Sequence, residues 1–291
     1  MKLPHHHRYG YSDIASRADF NWPGGRRLAV YLGLNAEVFA YGSGLGAELA
    51  PGGPQPDVLN YAWRDYGNRV GLPRLREMFD RLGLPCTVLA NSAVYTECPG
   101  LIESFRARGD EIAGHGRSNA ERQGILTEAE ETALIAEATA TLAEQEGRAP
   151  AGWLGPWISQ SAVTPDLLHE AGYSYVLDWC HDDQPVWMTT RTGRILSVPY
   201  PQELNDIPQI VARKREAREF AEMIRDAFDL MLAESARRPL VMGIALHGYL
   251  MGQAHRAGPL EEALRYMQER GGDRVWFTTA GAIAEAFADR P

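Results

Sequence analysis

Cysteine is scarce: Cys86, Cys98 and Cys180 are the only three in 291 residues, and no two stand in a Cys-x-x-Cys spacing. An odd, scattered set speaks against a disulfide framework and for a reducing compartment, with the cytoplasm as the expected location. No run of about 18 apolar residues exists, so no membrane span is expected. The opening Met-Lys-Leu-Pro-His-His-His-Arg lacks the apolar stretch of a secretory signal. Positive charge is in deficit. With 29 Lys and Arg against 38 Asp and Glu, the net charge is −9, which argues against a nucleic-acid surface.

Several motifs are missing too. No Gly-x-Gly-x-x-Gly turn follows the first apolar run, and Gly42-Ser-Gly-Leu-Gly46 only resembles one in glycine content. Ser92 and Ser118 lack a nucleophile elbow, and there is no His-Glu-x-x-His. Cys180 and His181 are neighbours in sequence, which in a strand sends them to opposite faces, out of reach of each other. No Pro-, Gly- or Ser-rich linker divides the chain, so residues 1–291 read as one domain, with residues 1–25 as an irregular arm.

What is present is a globular composition, 45% apolar and 23% charged, in a chain long enough to bury about 75% of its unfolded surface. Strand-like runs at 27–35, 86–94, 111–115, 151–155, 173–179, 195–200, 240–246 and 274–277 alternate with helical patterns. Among the helices, 72–82 stops at Gly83, Thr127 to Glu130 forms a capping box, and Thr164-Pro165 reads as an N-cap with proline at the first helical position. Residues 42–56 form a long Gly- and Pro-rich loop suited to closing a pocket. Strand–helix alternation predicts an α/β fold with a parallel sheet, closed or nearly closed.

Acids and histidines gather at strand ends: Asn35 and Glu37 after the first, His115 at the third, Asp178 and His181-Asp182-Asp183 after the fifth, and His247 at the seventh. In parallel barrels the chemistry sits at that rim. Each residue also has a structural reading: a solvated loop acid for Glu37, a hydrogen-bonded rim histidine for His115 or His247, a turn cap before Pro185 for Asp182 and Asp183. Arg64-Asp65-Tyr66, with Arg69 beyond, is either a substrate clamp or a salt-bridged anchor. Trp153, Trp157, Trp179 and Trp187 read as barrel-end packing or as a pocket wall.

The order Asn35-Ala-Glu37, Gly114-His115-Gly116, Gly152-Trp153, Asp178 to Asp183 and Leu246-His247 resembles the polysaccharide deacetylase (NodB-homology) superfamily, in particular its cytoplasmic allantoinase-like and cyclic-imide-hydrolase-like branch. The blocks Arg64 to Gly71, Gly152 to Pro156, Glu203 to Pro208 and Gly252-Gln-x-His255-Arg256 extend the likeness over nearly the whole chain. The resemblance implies a distorted (β/α)7 barrel and a hydrolase of non-peptide carbon–nitrogen bonds in a small amide, cyclic imide or ureide. Glu37 falls on the base position, but Val38 and Asn119 stand where two metal ligands would be. The expected cofactor is therefore none, with a divalent metal such as zinc at a non-standard site as the alternative. In the metal-free scheme Glu37 activates water and His247 protonates the leaving nitrogen. Asp182 or Asp183 orients the His247 ring, and His115 or Arg64 stabilises the oxyanion. A metal-dependent N-deacetylase and a non-catalytic binding barrel are the other readings. The expected partners are a small-molecule substrate and further copies of the chain, with neither nucleic acid nor membrane.

Overall fold

The computed structural model describes residues 3–290; Met1 and Lys2 of the expected arm and Pro291 lie outside the described residues. The strands are β1 (Leu28–Ala36), β2 (Thr87–Ala90), β3 (Glu111–Gly114), β4 (Gly152–Trp153), β5 (Tyr175–Val176), β6 (Val186–Thr190), β7 (Gly193–Ser197), β8 (Leu240–His247) and β9 (Val275–Thr278). Seven run parallel in the order β8-β1-β2-β3-β4-β5-β7. Strand β9 pairs with Leu28–Tyr31 of β1, below the stretch Gly33–Ala36 that pairs with β2. Beyond β7 the chain returns to β8, where Asn205 makes one parallel bridge to Ala245. That bridge completes a distorted (β/α)7 barrel.

Side-chain parity builds its two layers. Val30, Leu32 and Leu34 of β1 and Met242, Ile244 and Leu246 of β8 point outward, into a core shared with helices Leu72–Leu82, Ala217–Glu234 and Ala254–Gly271. Ala29, Tyr31, Val241 and Ala245 point inward, against Tyr175, Leu177, Leu196 and Tyr200. All nine residues of β1 and all eight of β8 are buried, which is why both read in sequence as unbroken apolar runs.

Strands β2, β3, β4, β5 and β7 are shorter than their apolar runs. Strands β4 and β5 are two residues each, because the chain leaves the sheet to form the rim. The antiparallel hairpin β6–β7 has no counterpart among the sequence-based strands, which had only the second arm. Thr164 is not the N-cap. It is the first residue of helix Thr164–Glu170, and its hydroxyl serves the buried Glu131 carboxylate instead. The arm is irregular apart from two short turns, and ion pairs from Arg8 to Asp166 and from Arg17 to Asp182 tie it down. All three cysteines are free. Among the described residues no helix is long and apolar enough to cross a membrane.

Candidate active site

The inward parity of three strands carries on past their C-terminal ends. Glu37 follows Asn35 on the inner row of β1, His115 follows Ala113 beyond β3, and His247 ends the inner row of β8. The three side chains meet in one cavity of about 130 Å3, which Arg64, Asn119, Trp157, Ile158 and Tyr249 also line. They are buried, with Glu37 6% exposed, His115 2% and His247 4%.

Glu37 is the centre. Its Oε1 accepts from Asn119 Nδ2 at 2.6 Å and lies 3.3 Å from His115 Nε2 and 3.6 Å from His247 Nε2. Its Oε2 is buried without a protein partner. Three asparagines hold the backbone beneath it. Asn68 Nδ2 donates to the Glu37 carbonyl at 2.7 Å, the Val38 amide donates to Asn91 Oδ1 at 2.9 Å, and Asn91 Nδ2 donates to Asn119 Oδ1 at 3.0 Å.

His247 is clamped from behind. Asp206, fully buried, accepts from His247 Nδ1 at 2.6 Å and from the His247 backbone amide at 2.7 Å. Burial by itself disfavours the imidazolium, but Asp206 and then Glu37 outweigh it and raise the His247 pKa to about 10. Burial likewise opposes ionisation of Glu37, yet His247 first and His115 next hold its pKa well below the usual carboxylate range. At neutral pH the site therefore rests as a carboxylate facing an imidazolium. His115 Nδ1 lies 2.7 Å from the Leu154 carbonyl, which can only accept, so Nδ1 carries a proton. Its Nε2 can then donate only when the ring is charged.

Arg64 reaches the cavity from helix Val58–Tyr66, which continues through a π-helical stretch, Gly67–Gly71, into Leu72–Leu82. A Cβ at Gly71 would lie 2.0 Å from the Gly248 carbonyl oxygen, and one at Gly67 would lie 2.7 Å from the Tyr249 nitrogen. The two glycines thus let this helix lie directly on the residues after His247. The two readings of this block are both realised, on different residues: Asp65 pairs with Arg69 at 2.5 Å on the surface, while Arg64 faces the cavity.

Asp182 and Asp183 are not at this site, which corrects the role expected for them. The chain after β5 leaves the rim. Asp182 makes a bidentate pair with Arg17 of the arm, at 2.8 and 2.6 Å, and the Asp183 carbonyl accepts from the Val241 amide at 2.8 Å. Val241 and His247 lie six residues apart on β8, about 20 Å at the usual rise per residue. Asp206 holds the His247 ring instead. Its sequence signal was misleading, since an acid before Ile207-Pro208 reads as a helix cap, yet its side chain makes no cap hydrogen bond. Asp178 stays near the rim, with Oδ1 accepting from the Gly155 amide at 2.7 Å. The 42–56 loop does not line the cavity. It backs the wall, where a Cβ on Gly46 would lie 2.9 Å from the Phe39 ring and 3.2 Å from Trp157.

The donor set does not fit the superfamily's metal triad. Val38 offers a hydrocarbon, and Asn119 spends its amide on Glu37 and its oxygen on Asn91. Among the described residues no three His, Cys, Asp or Glu side chains are placed to hold an ion.

No family model matches the chain. A Schizosaccharomyces pombe protein provisionally named a polysaccharide deacetylase is 25% identical over 281 residues, covering 91% of this chain and 87% of that protein. Among solved structures, a probable polysaccharide deacetylase from Pseudomonas aeruginosa PAO1 superposes with a TM-score of 0.84 at 28% identity, over 96% of this chain and 99% of that one. The Puue allantoinase superposes with a TM-score of 0.82 at 26% identity, over 97% and 99%. Likeness over nearly the full length in both sequence and fold, with Glu37, His115 and His247 at the rim of the barrel, supports the polysaccharide deacetylase (NodB-homology) superfamily as the family of this chain.

Proposed function

We propose that this protein is a hydrolase of carbon–nitrogen bonds in a small amide, cyclic imide or ureide, acting by general base and general acid catalysis. The observation that carries the reading is Glu37, a buried carboxylate with one oxygen held by Asn119 and the other unpartnered, set opposite the His247–Asp206 pair. The free oxygen takes a proton from water as the water oxygen attacks the carbonyl carbon. As the tetrahedral intermediate collapses and the carbon–nitrogen bond breaks, His247 Nε2 passes its proton to the leaving nitrogen. Return of the proton from Glu37 Oε2 to His247, whose Nε2 lies 3.6 Å from the other carboxylate oxygen, Oε1, resets the site. Asp206 fixes the ring and favours its charged form. Arg64, or His115 as imidazolium, stabilises the oxyanion.

The cavity supports a small substrate. Its volume of about 130 Å3 is below the roughly 300–1,000 Å3 usual for drug-sized ligands. The likeness to the allantoinase favours a ureide or imide over an N-acetyl sugar. The test is turnover of a panel of hydantoins, imides, ureides and N-acetyl compounds by wild type and Glu37→Gln, each before and after chelation. Turnover of a ring substrate that survives chelation and is lost in the variant is expected. Turnover only of N-acetyl sugars, restored by zinc after chelation, would replace this reading with the metal-dependent deacetylase.

A further inference from the structure

Arg64 carries a charge that no acid among the described residues balances, and with His115 able to serve the oxyanion it is free for another use. It is the only lysine or arginine among the residues lining the cavity. Its Nε donates to Asn60 Oδ1 at 3.2 Å, and the Tyr249 hydroxyl is the other polar group beside it. No carboxylate among the described residues lies within ion-pair distance: Asp65 is taken by Arg69, and Glu37 Oε1 by Asn119 and the two imidazoles. Arg64 is half-buried, lining the cavity with no acid beside it.

The aromatic frame fixes how the guanidinium can be used. Its carbon sits 3.9 Å above the Phe39 ring centre, with Tyr249 at 5.2 Å and Trp157 at 6.0 Å. Stacking on Phe39 covers one face, so the edge with its parallel N–H donors is left to bind. That edge is the geometry that grips a planar carboxylate by two hydrogen bonds. A single fork without a second cation suits a monoanion better than a phosphate dianion.

We propose that Arg64 is an anion subsite, and that the substrate is a small cyclic or open-chain amide bearing a carboxylate a few atoms from the bond that is cut. The cavity enforces the short spacing, since 130 Å3 is about four water molecules' share of liquid volume. The proposal deepens the hydrolase reading and rests on it for its kinetic test, but its binding test stands without it.

The kinetic arm compares hydantoin with hydantoin-5-acetate on wild type, Arg64→Gln and Arg64→Lys. We expect wild type to prefer the carboxylate-bearing ring. We expect Arg64→Gln to lower the ratio of the two kcat/KM values at least 30-fold, mostly through KM, and Arg64→Lys to recover part of it. An equal loss on both substrates would overturn the subsite and place Arg64 at the reacting carbonyl. The binding arm titrates succinamate and succinamide, followed by calorimetry and by the fluorescence of Trp157. Succinamate should bind at least tenfold tighter than succinamide, with the preference lost in Arg64→Gln. Equal binding of the two, or binding of neither, would overturn the proposal. Carboxylate-selective binding with no turnover of any ring would keep the subsite and remove the hydrolase reading.

Discussion

Two acid–base pairs stand at opposite ends of one strand and do different work. At the C-terminal end of β8, Asp206 holds His247; beside its N-terminal end, Asp182 holds Arg17. Both are bidentate and short. The difference lies in the partner. Histidine can give up its proton and here faces a second carboxylate, whereas arginine stays charged at any ordinary pH. The cavities at the arm end, about 630 and 770 Å3, are several times larger than the one at the rim. Size therefore ranks the two ends in the wrong order. Convergent groups able to exchange a proton rank them correctly, and the pair at the arm end is a fastener.

Breaking the rim constellation gives the largest expected effect. Glu37→Gln keeps the Asn119 contact but cannot take a proton, and kcat should fall by about 10²–10⁴. Asp206→Asn is next, with a loss of about a hundredfold and a distinctive pH signature. In wild type the active ion pair should persist across neutrality, with kcat/KM falling only as His247 loses its proton near pH 10. Without the Asp206 charge that alkaline limb should move down toward the ordinary histidine range. A pH–rate profile on an uncharged substrate reads this directly, and an unmoved limb would remove Asp206 from its role. At the other end, Asp182→Asn should leave kcat within threefold and lower stability by about 1–2 kcal/mol, seen as a lower thermal midpoint. A large kcat loss there would undo the contrast.

Two smaller effects sharpen it. Trp157 and Ile158 line the rim cavity with left-handed backbones, at φ 64° and 51°. For a β-branched residue this costs about 1–2 kcal/mol. Ile158→Gly releases that strain, so it should cost under about 1 kcal/mol in denaturant unfolding, well below the 2–5 kcal/mol usual for an Ile truncation. KM should nonetheless rise several-fold as the wall softens. Chelation should change least of all, leaving activity within twofold, because neither Val38 nor Asn119 is available to complete the superfamily's ligand set.

The comparison also shows what the residues could reveal in one dimension. Glu37, His115 and His247 were legible because each ends an apolar run, and their odd-numbered places continue the inward rows of β1, β3 and β8. The fold was legible because β1 and β8 are buried on both faces and read as unbroken apolar runs, and the superfamily because its motif blocks stand in order along the chain. Asp206 was not, because no strand leads to it and a helical turn explains it locally. Asp182 and Asp183 misled because they follow a strand that ends three residues earlier than its apolar pattern suggests, at Val176, with the chain already bound for the arm. The hairpin arm Val186–Thr190 was hidden by its turn, Arg191-Thr192, which lacks the usual Asn-Gly or Asp-Gly signal.

The barrel wall is not equally strong all round. Between β1 and β8 eight residue pairs are in register, but the opposite flank of β8 meets the returning chain at one bridge, Asn205 to Ala245. Asp206 is the next residue along. The group that keeps His247 charged therefore hangs from the least fastened seam, where local opening costs least. Heat should silence this protein before it melts it: inactivation on warming is expected to be reversible and to set in below the global unfolding transition.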